Sequence, residues 1–236
     1  MTRILIIADD LGIDSLTNQR ITDCYEKGLI SSTSVMVTMP GFEEAVEWYK
    51  KQTPEPKLGI HLDLDGGKPV SEVFKSAYGE KKLFYPGGRL SADQKYLDIL
   101  EQELDAQIQK LIKAGISLHH IDSHHHKHTN WPVAKIVVRL AKKYGGVRIR
   151  VAGNVLYPSA FHKQIYRSLL NRYFKKHSNP QNHIPNFARL EKFMAARPTI
   201  QGNSIELMTH PGMDQDYQLL NSPAFSEFLK NYSLIR

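Results

Sequence analysis

The chain has 236 residues, 41% of them hydrophobic, which suits one domain, residues 1–236, with a full core. No apolar run approaches the ~20 residues of a membrane span, and the start, Met1-Thr2-Arg3-Ile4-Leu5-Ile6-Ile7-Ala8-Asp9-Asp10, meets acid too soon for a secretory leader. A cytoplasmic protein without a membrane partner is therefore expected. The single cysteine, Cys24, excludes an internal disulfide and a cysteine-rich zinc site.

The net charge of +7 is uneven, with basic residues gathered in Lys142 to Arg150 and His162 to Lys176. These read as solvated helical faces. The chain has no helix-turn-helix, zinc-finger or aromatic RNA-binding motif, so no nucleic-acid partner is expected.

Arg3 to Ala8 is a short β-branched run and reads as a buried strand. Asp14 to Lys27 reads as a helix stopped by Gly28. Thr33 to Thr38 is a second strand and Phe42 to Gln52 a second helix. Pro54 and Pro56 break the chain before a third strand, Leu58 to Leu64. The stretch holding Gly66, Gly67, Pro69, Pro86, Gly87 and Gly88 has little periodicity and reads as a loop or lid. Asp93 to Ala114 is a long amphipathic helix capped by Gly115, and Leu118 to Asp122 is strand four. Pro132 to Tyr144 is a helix, Val147 to Val151 strand five, and Tyr157 to Lys176 a helix. Ser178 to Pro198 is polar and carries no clear pattern. Ser204 to Met208 is a further strand, and Pro223 to Asn231 a closing helix. Strands alternating with helices call for a mainly parallel sheet. The expected fold class is α/β, a (β/α) barrel-like fold, irregular or incomplete; a doubly wound open sheet is the alternative.

Six of the 11 histidines fall in His119 to His128, and imidazole is the commonest protein metal ligand. If this stretch were strand throughout, His120, Asp122, His124, His126 and His128 would share one face, opposite His119, His125 and Lys127. One metal rarely takes more than two or three ligands from one segment, so most of these histidines serve other ends. Other polar residues stand at comparable places. Asp9 and Asp10 follow strand one, His61 lies at the exit of strand three, Asp122 and His124 follow strand four, and His210 follows the late strand. In a (β/α) barrel those ends converge on the face that carries active sites.

Paired carboxylates after an apolar strand need charge compensation, and a divalent cation supplies it. One aspartate with two histidines is a mixed N/O set that leaves positions open. A second carboxylate then serves as general base, and a histidine opposite protonates the leaving group. Phe84, Tyr85 and Trp131 are candidates for stacking on sugar faces or for core packing. A metal-dependent phosphoesterase or another amidohydrolase, with a second metal on Asp122 and His126, is a rival reading. So is a non-enzymatic protein that binds metal or polyanions.

Four motifs in order carry a resemblance. Ala8-Asp9-Asp10-Leu11-Gly12, Gly59-Ile60-His61-Leu62 followed by Gly67-Lys68-Pro69, His120-Ile121-Asp122-Ser123-His124-His125-His126 and Glu206-Leu207-Met208-Thr209-His210-Pro211-Gly212 resemble the YdjC-like carbohydrate deacetylases, which include the chitooligosaccharide deacetylases. Gly28-Leu29-Ile30-Ser31-Ser32-Thr33-Ser34 is similar too. The resemblance implies a barrel-like deacetylase fold and a divalent metal, with Mg2+ favoured and Zn2+ or another transition ion allowed. It implies Asp10, His61 and His124 as metal ligands, Asp9 as catalytic base and His210 as catalytic acid. Asp122, His126 and His128 are then left to contact substrate or support the ligands. The partner implied is a small acetylated carbohydrate, with a homodimer allowed. Leu11 departs from the family's usual Phe, and Asp63 and Asp65 stand where neutral residues are common, which bears on substrate contacts. The chain ends soon after its last helix, leaving a final strand short or missing.

Overall fold

The computed structural model describes residues 2–80, 93–153, 160–178, 183–184, 186–198 and 204–235. The apolar run after Arg3 forms β1 (Thr2–Leu11), in which Ile4, Ile6, Ile7 and Ala8 are fully buried. Burial on both faces is the mark of a central parallel strand. The chain continues through α1 (Ser15–Glu26), β2 (Ser32–Val35), α2 (Phe42–Lys50), β3 (Leu58–Leu62), α3 (Glu72–Tyr78), α4 (Gln94–Lys113) and β4 (Leu118–Ser123). A 3-10 segment (His124–Thr129) leads into α5 (Trp131–Lys143) and β5 (Arg148–Ile149). Then come α6 (Phe161–His177), β6 (Phe187–Arg189), α7 (Leu190–Ala196), β7 (Ser204–Thr209), α8 (Asp214–Leu220), α9 (Pro223–Leu229) and β8 (Tyr232–Leu234).

Capping explains several helix starts. Asp14 accepts from the Thr17 amide, Asp93 from that of Tyr96 and Ser71 from that of Phe74, each satisfying a backbone donor that a helix leaves open. α4 presents Tyr96, Leu100, Leu104, Ile108 and Leu111 at three- and four-residue spacing to the sheet.

The strand order is β5-β4-β3-β2-β1-β7-β6, and every pairing is parallel. β8 pairs with Thr2 to Ile4, the part of β1 below its contact with β2, so the final strand is present and short. Among the described residues β5 and β6 do not pair. The sheet nevertheless curls. Arg150, just after β5, reaches Asp9 on β1, Asp122 on β4 and Glu206 on β7. One side chain that joins three strands fixes an open, barrel-like α/β wall with its interior at that arginine.

Three expectations change. The expected loop after residue 66 contains α3, and its remainder, 81–92 with Phe84 and Tyr85, lies outside the described residues. The patternless stretch before Pro198 holds β6 and α7, elements too short for periodicity to register. Arg148 and Arg150 do not belong to a solvated face: both are buried on carboxylates, and Arg148 pairs with Glu206.

Candidate functional site

Alternation along a strand would send Asp9 and Asp10 to opposite faces. A bulge prevents this. The pairing of β1 with β2 shifts register between Ala8 and Leu11, and Asp10 takes a left-handed φ of 77°. Bulges of this kind re-aim side chains beside active sites, and aspartate tolerates the conformation better than most residues. Asn18 secures the following turn: its carbonyl oxygen accepts from the Gly12 amide at 2.7 Å and its amide donates to Gly41 O at 2.8 Å.

Asp10, His61 and His124 meet here, each offering a ligand atom within 4.8 Å of the others. Nε2 of His61 lies 3.4 Å and Nδ1 of His124 3.1 Å from Asp10 Oδ1. Behind His61, Nδ1–H donates to Asp122 Oδ1 at 2.7 Å, which leaves Nε2 to face Asp10. A carboxylate that fixes the far nitrogen of a histidine is the usual support of a metal ligand. The donor chemistry therefore fits a divalent cation, with one carboxylate and two imidazoles from three strand ends. Burial opposes the charge of Asp10, but the His124 hydrogen bond and the fields of His61, His210 and His124 bring its pKa down to about 2. Burial likewise opposes a charged His61; Asp122, Asp9 and Asp10 outweigh it and lift its pKa to about 9. A cation entering this site displaces that proton.

Asp9 is held by Arg150. Both its oxygens accept from the Arg150 fork at 2.7 Å, and Oδ2 lies 4.0 Å from Nε2 of His210. Asp122 is also buried; its Oδ2 accepts from Ser34 Oγ and pairs with Arg150, both at 2.7 Å. Ser34 lies 3.0 Å from Nε2 of His120, and the missing side chain of Gly59 makes room for that ring: a Cβ there would fall inside the imidazole. Asp122 groups with Asp9 and His61.

The strand face expected to run through the histidine cluster stops at Ser123. His125 and His126 have φ of 51° and 53°, which turns the chain into the 3-10 segment and breaks the alternation. His125 faces Asp65 at 2.9 Å and is exposed. His128 is fully buried: Nδ1 accepts from Ser123 Oγ at 2.7 Å, and Nε2–H donates to Arg150 O at 3.2 Å.

Burial, with His126 and Arg150 adding repulsion, pushes the pKa of His128 down to about 3. The folded state thus refuses a proton that the unfolded chain accepts near its ordinary value of 6.5. The stability this gives is fully present above that value and is lost as pH falls towards 3. Between those limits the wild type is expected to lose roughly 3–5 kcal/mol more than His128→Gln, measured by urea unfolding across pH. Parallel pH curves for the two proteins would contradict this.

Sequence reasoning missed the supports of the mouth. Asp63, buried, accepts from the amides of Asp65, Gly66 and Gly67 and from Thr38 Oγ1, so it builds the loop. Glu103 holds the amides of Val70 and Ser71, and Gln107 bonds both backbone groups of Asp63. Trp131 packs on Tyr166 and Tyr173.

His126 lines a cavity of about 700 Å³ floored by Val151, Phe187 and Met208. Burial and the charge of Arg150 push its pKa down to about 4. His162, Lys163, Arg167 and Arg189 also line this cavity, and no described lining residue is acidic.

The fold and site together define an open barrel-like α/β protein with a candidate one-metal centre at the C-terminal strand ends. This chain belongs to the YdjC-like protein family, whose model matches residues 3–231. A carbohydrate deacetylase of Brevibacillus brevis is 34% identical over 219 residues, 89% of this chain and 81% of that protein. One of Oceanobacillus iheyensis is 31% identical over 232 residues, 95% of this chain and 92% of that protein. The match to the Thermoanaerobacter pseudethanolicus carbohydrate deacetylase, 34% identical over 146 residues, spans 61% of this chain and only 58% of that protein. A solved Enterococcus faecalis V583 structure, named for cellobiose-phosphate cleavage, shares the fold with a TM-score of 0.75 at 21% identity, covering 100% of this chain and 97% of that one.

Proposed function

We propose that this protein is a metal-dependent carbohydrate N-deacetylase. It hydrolyses the acetamide of N-acetylated amino sugars, short chitooligosaccharides or their phosphates, to acetate and a free amine. The reading rests on one observation above all: Asp10, His61 and His124 lie within 4.8 Å of one another beside Asp9 and His210. Relatives 31–34% identical are named carbohydrate deacetylases.

A divalent cation held by Asp10, His61 and His124 supplies Lewis-acid polarisation of a carbonyl oxygen and acidification of water. Asp9 accepts the proton of the attacking water, with the Arg150 fork holding its carboxylate in place. His210 gives its proton from Nε2 to the amine nitrogen as the C–N bond breaks. Asp122 keeps the His61 ring oriented. The cavity beside His126 accommodates the rest of the saccharide, and its cationic lining suits an acidic substituent such as a phosphate. Mg2+ is the ion the resemblance implies, whereas two imidazoles suit Zn2+ and its transition-metal neighbours better.

The test is acetate release from N-acetylglucosamine, its 6-phosphate and diacetylchitobiose, with Mg2+, Zn2+, Mn2+ or Co2+ and with a chelator. Release that the chelator abolishes is expected with at least one sugar. No release from any of them with any metal would sink the reading.

A further inference from the structure

The geometry points to Asp216 as the positioning residue of His210. This rests on the proposed role of His210 as proton donor.

The backbone of His210 is fixed on both sides. Thr209 pairs with Ala8 across β1 and β7, and the Met213 amide donates to His210 O at 2.9 Å. The next turn has no slack, since a Cβ on Gly212 would stand 2.8 Å from Thr17 Oγ1. The ring, by contrast, has an open account. Its Nδ1 is buried and has no hydrogen-bond partner among the described residues. Leaving a buried ring nitrogen without a partner is costly, so a nearby acceptor is expected to claim it.

That acceptor is Asp216 Oδ2, 3.9 Å from Nδ1. Asp216 is buried at the start of α8, and the same oxygen already accepts from the His210 amide at 2.7 Å and from Thr209 Oγ1 at 3.1 Å. The carboxylate is thus locked to the backbone of the residue whose ring it faces. A small turn of the imidazole closes the gap and gives an Nδ1–H···Oδ2 bond. Nε2 then points towards Asp9 Oδ2, 4.0 Å away, where the reacting atoms must sit. This is a carboxylate holding one imidazole nitrogen so that the other works.

With Asp216 ionised beside it, the imidazolium carries protons on both nitrogens. As the C–N bond breaks, its electron pair goes to nitrogen, and nitrogen takes the Nε2 proton. Neutral imidazole remains, with Nδ1–H still on Asp216, and the carboxylate stays ionised throughout.

Asp216→Asn keeps the shape and an acceptor for the His210 amide but removes the charge. In the magnesium-loaded wild type, a strongly hydrogen-bonded imidazole N–H proton of His210, distinct from the one His61 donates to Asp122, is expected far downfield in the NMR spectrum. It should be absent from both Asp216→Asn and His210→Gln. With diacetylchitobiose, kcat of Asp216→Asn should fall about 100-fold or more while KM and bound magnesium stay within about twofold. Retention of the resonance in Asp216→Asn, or a rise in KM at unchanged kcat, would overturn the assignment. If His210→Gln keeps full kcat, the acid role of His210 fails instead. If the wild type releases no acetate from any sugar, the deacetylase reading fails, and the resonance still decides the pairing.

Discussion

Arg150→Met is expected to cost at least about 4 kcal/mol, enough to unfold a domain of ordinary stability at moderate temperature. Arg150 is fully buried, and its guanidinium serves three carboxylates: Asp9 through two bonds at 2.7 Å, Asp122 at 2.7 Å, and Glu206 through Nε. Its own pKa rises well above the ordinary value, because burial, which opposes the charge, is outweighed by Asp122, Asp9 and Glu206. Removing the cation leaves buried charges from three strands with Arg148 and the histidines as their remaining compensation. The sign with pH provides a second check. In the wild type, burial pushes the pKa of Asp122 up, but Arg150 and His61 hold it well below the usual carboxylate range. That contribution is present above the unfolded value of 3.8 and is lost at lower pH. In Arg150→Met the largest opposing field is gone and burial gains weight, so acid should cost the variant less than it costs the wild type. Arg150→Lys restores one charge but not the fork, and should recover only part of the loss. Urea unfolding at neutral and acidic pH measures all three. A variant within about 1 kcal/mol of wild type would show that the sheet does not depend on this link.

What the sequence made legible follows from local pattern. The β/α alternation and the polar residues at strand ends are short-range signals, and they gathered Asp9, Asp10, His61, Asp122, His124 and His210 as candidates; the choice of Asp10, His61 and His124 as ligands came from the resemblance. Arg150 was read with Lys142 and Lys143 because a charged residue near a helix end looks the same wherever the sheet later curls. One signal was present: in Arg148-Ile149-Arg150-Val151, strand alternation places both arginines on one face of a strand whose neighbours are buried on both. Asp122 on the paired strand β4 and Glu206 on β7 are buried acids, so a buried charge layer was there to be inferred. The left-handed backbone of Asp10, His125 and His126 had no such signal, because none of them is glycine. It decides which way the carboxylates and imidazoles point, so strand periodicity mispredicted the later part of the histidine cluster. Asp216 was overlooked because α8 has only seven residues, too few for a periodic pattern.

Asp10→Asn is the second large effect expected, and it separates charge from shape. Asp10 has a φ of 77°, which asparagine tolerates and alanine does not, so Asn avoids the backbone penalty that would confuse an alanine variant. The amide is close to the carboxylate in size and can still face His124. It lacks the negative charge that makes this set suitable for a dication. Metal affinity should fall by at least about 100-fold, a loss at the upper end of that seen when residues behind a ligand are changed. Acetate release should fall on the order of 1,000-fold, with the fold preserved. The unloaded variant should also behave differently in acid. The Asp10 pKa of about 2 means that its stabilisation is present above 3.8 and fades as pH falls through 2, a limb that Asn removes. Calorimetric titration with Mg2+ and Zn2+, elemental analysis of the purified chain and the acetate assay test the loaded state. One tight metal per wild-type chain, lost from Asp10→Asn, is the expected result. Several weakly held ions that survive the substitution would place metal on the histidine cluster instead, and would favour a metal-binding role over a catalytic one.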